Sequence, residues 1–127
     1  MPPDTNQFLG DLVSRIESFR ELADGWLNGE GTPIKVDKIL PLLKVHFNSL
    51  QVRTYAYPMV NGGIELCWVD KNINKEISLE IDPDSLVGDY YEFGSPKEDD
   101  FFTKPIDLNN SYEMEWLVTQ ISLIVKA

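Results

Sequence analysis

Cysteine occurs once in this chain, at Cys67, and histidine once, at His46. A single thiol excludes an internal disulfide and a cysteine-built zinc cage, and it fits a reducing compartment. Cys67 has no basic neighbour in sequence to lower its pKa, so it reads as an inert strand thiol. The lone histidine lacks an orienting acid: Asp37 stands more than two turns away along its predicted helix. No Gly-x-Ser-x-Gly elbow or comparable nucleophile accompanies it. A long apolar run is missing as well. The richest stretch, Trp116 to Val125, is far short of the about 20 residues that span a bilayer. The opening Met1-Pro2-Pro3-Asp4 is polar, without a basic and apolar leader, so a cytoplasmic protein is expected.

Positive charge is also scarce. Lys and Arg total 11 against 21 Asp and Glu, for a net charge of −10 and a pI near 4.4. Nucleic-acid and anionic-membrane binding draw on Lys and Arg, so neither is expected of this chain. Gly29-Glu30-Gly31 lacks the Lys-Ser/Thr of a phosphate loop. Asp70, Asn72 and Asn74 imitate the first ligands of a calcium loop, but Lys75 and Ile81 stand where Gly and a bidentate Glu are needed. Asp82-Pro83-Asp84 and Glu98-Asp99-Asp100 have no spacing that fixes six oxygens. No metal and no cofactor is expected, and catalytic residues are not assigned.

What the chain does contain is unevenly placed. From Glu76 to Glu115 twelve acids face only Lys97 and Lys104, a net of −10, whereas the first 75 residues carry nine acids and eight bases. Apolar residues at 43% and charged residues at 25% suit a single globular domain over residues 1–127. Phe8, Leu12, Ile16, Phe19, Ala23 and Trp26 recur at helical spacing and predict a helix from Asn6 to Trp26, ended by Asp24-Gly25. Val36, Ile39, Leu40, Leu43, Phe47 and Leu50 predict a second helix, with Pro41 confined to its first turn or to a kink. Period two then takes over at 52–57, 64–69, 76–82 and 86–93, with Asn61-Gly62-Gly63 and Asp82-Pro83-Asp84-Ser85 as turns. Phe101 to Ile106, containing Pro105, reads as an edge strand. Asn110 and Glu113 resemble a capping box ahead of a last helix. The expected fold is α+β: two N-terminal helices, an antiparallel meander of four to five strands, and a C-terminal helix on one sheet face.

Trp26-x-x-Gly29-Glu30-Gly31-x-Pro33 and Pro58-x-x-x-Gly62-Gly63-x-x-x-Cys67-Trp68, followed by Ile77 to Asp82, resemble paired signatures of a widespread family of small, acidic, uncharacterised bacterial and phage proteins. Cys67 stands where that pattern has Glu. The resemblance covers roughly residues 18 to 82. It implies an intracellular bacterial or phage origin and the α+β order above, and no chemistry.

Two sets of residues are candidates for a site. The first joins charge to aromatics: Glu76, Glu80, Asp82, Asp89, Tyr90, Glu92, Glu98, Asp99, Asp100 and Phe101. Rings supply burial energy at an interface, and surrounding charge supplies steering and partner choice. The expected function is therefore a non-enzymatic protein-binding module for a basic protein surface, such as a nuclease or toxin. Antitoxin, immunity protein and phage inhibitor of a defence nuclease by nucleic-acid mimicry (anti-CRISPR-like) fit equally, as monomer or homodimer. The second set is Trp26, Glu30, Glu65 and Trp68, which would line a pocket of a small enzyme or ligand-binding domain.

Overall fold

The computed structural model describes residues 7–70, 75–94 and 102–125. The expectations that rest on Asn72, Asn74, Glu98, Asp99, Asp100 and Phe101 lie outside these residues. The element order is α1 (Gln7–Glu17), a 3₁₀ turn (Ser18–Glu21), α2 (Val36–His46), β1 (Tyr55–Pro58), β2 (Ile64–Asp70), β3 (Lys75–Ile81), β4 (Val87–Gly94), β5 (Phe102–Asp107) and α3 (Ser111–Ile124). The five strands form one antiparallel sheet in the order β1-β2-β3-β4-β5. This is the expected α+β meander with helices on one face.

The first helix is shorter than its apolar spacing predicts. It passes into the 3₁₀ turn and stops at Leu22, whose backbone is extended. Trp26 therefore sits in a loop, where Gly25, Asn28 and Gly29 adopt positive φ and prevent helical continuation. Pro41 lies well inside α2 rather than in its first turn, on the exposed side. α2 also ends at His46, and Phe47 and Leu50 enter the core from the following loop.

Strand parity assigns each side chain to a face. On the covered face lie Ala56, Ile64, Leu66, Trp68, Ile77, Leu79, Ile81, Tyr90 and Ile106, each almost inaccessible to solvent. Against them pack Leu12, Ile16 and Phe19, then Ile39 and Leu43 of α2, then Met114, Leu117 and Ile121 of α3. Phe47 meets Trp68 edge to face at 5.9 Å, and Trp116 meets Tyr90 likewise at 5.1 Å. Edge-to-face pairs of this kind add about 0.5–1.5 kcal/mol beyond their area.

Asn110 caps α3 by accepting from the N–H groups of Tyr112 and Glu113. The expected reciprocal arm goes elsewhere. Glu113 accepts from the N–H of Asp107 at 2.8 Å instead, tying the helix to β5.

Candidate functional site

The other face of the sheet carries the alternate members of each strand, and no described element covers it. β1 contributes Tyr55 and Tyr57, and β2 contributes Glu65, Cys67 and Val69. β3 adds Glu76, Ser78 and Glu80, and β4 adds Asp89, Tyr91 and Phe93. The register aligns these residues in rows. Tyr57, Glu65, Glu80 and Asp89 are successive cross-strand neighbours. So are Tyr55, Cys67, Ser78 and Tyr91 in the next row, then Val69, Glu76 and Phe93.

The result is a trough. Aromatic rings stand along both sides, with Tyr57 and Phe93 each 44% exposed. Tyr91 and Phe93 stack with centroids 6.2 Å apart. The small residues Cys67 and Ser78 are sunk between the walls and buried. Tyr55, Tyr57, Glu65, Cys67, Val69 and Glu76 line a groove of ≈ 540 Å³ at the β1 side.

Carboxylates dominate the electrostatics, with the Arg15 guanidinium 6.0 Å from the Tyr57 ring centroid at the β1 edge. No lysine or arginine occupies a described strand position on this face, because Lys75 and Lys104 have the parity of the covered side. Lys104 lies over the Trp116 ring there. The described ion pairs join Arg20 to Glu17 and Asp37, and Arg53 to Asp11. The acids of the open face form none among the described residues. Burial holds the Glu80 carboxyl above the usual range, reinforced by the charges of Glu65 and Asp89 on either side. Tyr91 is raised by burial and then by Glu80 and Asp89. Burial, with the fields of Glu65 and Glu76, pushes the Cys67 thiol up to about 12, so at neutral pH it is an unreactive thiol. Glu65 accepts a hydrogen bond from Ser78 at 3.1 Å, which fixes its head over the trough floor.

The remaining candidates are placed elsewhere. Tyr90, expected at the surface, is fully buried on the covered face and donates to Glu92 at 2.6 Å. Glu92 shares its parity, faces the helices and also accepts from Gln120. Neither can reach a partner on the open face. Asp82 organises the β3–β4 turn: its carboxylate accepts from the N–H groups of Asp84 and Ser85 and from the Ser85 hydroxyl. Those bonds hold its pKa below the usual range. Of the described residues of the first set, Glu76, Glu80 and Asp89 belong to the trough. Glu65 joins them from the second set; Tyr91 and Phe93, aromatics of the acidic stretch, stand beside them, and register adds Tyr55 and Tyr57 from β1.

The second set does not converge. Glu65 and Trp68 point to opposite faces of β2, and Trp68 is buried with its indole N–H donated to Thr54. Trp26 donates to the carbonyl of Thr32 within its own loop. Gly31 lies directly under that indole, where a Cβ would overlap the ring. The loop is closed by Gly25 N–H to Gly31 O and docked on the β1–β2 turn through Thr32 N–H to Val60 O and Lys35 N–H to Gly62 O. Glu30 is exposed on its rim. The Trp-Gly-Glu-Gly segment is a structural clasp.

At each sheet edge part of the outward backbone row is blocked, which disfavours strand addition. The bond from Met59 N–H to Gly63 O sets the alternation of the β1–β2 ladder, so Ala56 and Pro58 turn their polar groups outward. Pro58 has no N–H, and the Ala56 carbonyl accepts from Arg15 Nε at 3.0 Å. At the far edge, Leu108 N–H to Leu86 O places Thr103, Pro105 and Asp107 outward. Pro105 offers no donor and the Asp107 N–H is held by Glu113. Proline and capped groups are the usual defences of an edge.

No group of three or more His, Cys, Asp or Glu among the described residues is arranged to hold a metal ion. No described helix is long and apolar enough to cross a membrane. Comparison of the chain with protein-family models, with curated proteins and with solved structures yields no match in any of the three.

Proposed function

We propose that this protein is a non-enzymatic binding module whose uncovered sheet face engages a basic protein surface. The observation that carries it is the row Glu65–Glu80–Asp89, three carboxylates on adjacent strands, with Tyr57 at its β1 end and Tyr91 and Phe93 further along the strand that carries Asp89. Like charges opposed across strands destabilise a sheet, by an amount comparable to the roughly 0.2–1 kcal/mol of a favourable pair. Folding alone does not reward such a row. A cationic partner would reverse the sign of that repulsion, and its apolar stems would lie against Tyr57, Tyr91 and Phe93. The setting we infer is cytoplasmic and bacterial or phage. There an antitoxin, an immunity protein or an inhibitor that covers the basic substrate channel of a defence nuclease would use this face.

Affinity purification at low salt with tagged protein, beside the triple variant E65K/E80K/D89K, tests the proposal. A basic protein is expected to co-purify and to be released as salt rises from about 0.1 M to about 1 M, where screening shortens from about 10 Å to about 3 Å. The triple variant is expected to bind at least about tenfold more weakly, since opposed like charges in an interface cost several kcal/mol. A partner retained unchanged at high salt, or by the variant, overturns the reading.

A further inference from the structure

On the reading that the open face binds a basic partner, we infer that the element it receives is a basic amphipathic α-helix lying along the strands. Three ways of presenting cations to a sheet can be compared. Strand addition needs a free edge, and Pro58 with the Arg15–Ala56 bond blocks part of one edge as Pro105 with the Glu113–Asp107 bond blocks part of the other. A flat surface loop would leave the sunken Cys67–Ser78 floor without contact, since the ring walls stand above it.

A helix fits the dimensions. The walls on β1 and β4 are three inter-strand steps apart, about 14 Å at about 4.8 Å per strand. A helix with its side chains is about 10–12 Å across. The floor strands β2 and β3 have seven residues each, about 23 Å of length, which matches about 15 residues of helix. Two small residues, Cys67 and Ser78, lie at the centre of the floor; Glu65, Glu76 and Glu80 lie along it, and Asp89 stands on β4 beside it. An occupant with an apolar stripe toward Cys67, Ser78 and the rings, flanked by Lys or Arg reaching those four carboxylates, complements every row. The mode is helix in groove.

The test uses the intact protein and two synthetic peptides of about 15 residues with identical composition, built from Leu, Ala, Lys, Arg and two Pro in an amphipathic helical pattern. The first carries its prolines at the two ends; in the second they exchange places with two central residues, so that it cannot form the helix. Binding is read by calorimetry, peptide helicity by circular dichroism, and location by NMR shifts of the ring protons. The helix-competent peptide is expected to bind at least about tenfold more tightly, to gain helicity on binding, and to shift Tyr55, Tyr57, Tyr91 and Phe93. Its affinity is expected to fall in Y57A/Y91A. Equal, salt-sensitive binding of both peptides on this face overturns the helix while leaving the basic-partner proposal standing. Shifts confined to the β1 or β5 backbone overturn the helix in favour of strand addition. No binding of either peptide at low salt counts against the basic-partner proposal itself.

Discussion

Gly31 is the residue on which the N-terminal clasp turns. Its missing side chain leaves room for the Trp26 indole, whose N–H reaches the Thr32 carbonyl at 2.7 Å. Gly31→Ala forces a methyl into that ring, and overpacking of this kind costs about 1–3 kcal/mol. Urea denaturation should show that loss, while binding to the sheet face stays unchanged. An unaltered midpoint would mean that the loop adapts and is not the rigid clasp described. Motif spelling and structural role agree here: glycines and a tryptophan in a short loop mark a backbone that must turn sharply around one ring. Tyr90 teaches the opposite lesson. Its acidic neighbours Asp89 and Glu92 suggest exposure, yet strand parity sends it into the core against Trp116.

Across strands, the central carboxylate Glu80 ties stability to the proposed binding. Its pKa is raised in the folded protein by burial and by Glu65 and Asp89. A carboxyl raised on folding binds its proton more tightly in the native state. Its ionisation therefore destabilises the fold above that pKa, and the penalty disappears as pH falls below the unfolded value. Glu80→Gln mimics the protonated form at every pH. It should be more stable than the parent at pH 7, with the difference vanishing near pH 3, in parallel chemical denaturation series. The same variant should bind a basic partner more weakly. A variant that is stabilised and binds normally would show that the row has no part in recognition. The register behind this coupling follows from the Asn61-Gly62-Gly63 turn, where Gly62 takes positive φ, and from the β3–β4 turn held by Asp82. Turn signals were legible, but which acids they place side by side emerges only once each loop length fixes the pairing.

At the scale of the whole molecule, the negative charge is an asymmetric burden. Near the front, Arg20 pairs with Glu17 and Asp37, and Arg53 pairs with Asp11. The open face is left to repel itself. Added sodium chloride should therefore raise the urea midpoint of the free protein, and raise it less in E65Q/E80Q/D89N, whose repulsion is already removed. The same salt should weaken partner capture. A midpoint that falls with salt in the parent would indicate that attractive pairs dominate this surface.

The sequence by itself determined the element order, the alternation of each strand and the sign of the charge, because these depend on local periodicity and composition. Helix α3 began where Asn110 predicts, and Pro105 lies on an edge strand as its missing N–H requires. Only the tertiary structure decided which acids lie side by side. Clustering along the chain scattered in space: Asp82 went to a turn, Glu92 to the covered side and Glu113 to an edge bond. Glu65, distant in sequence, joined Glu80 and Asp89. The reason is geometric. Parity is a property of one strand, whereas a surface is made by the register among several, and register is set by turns and core packing together.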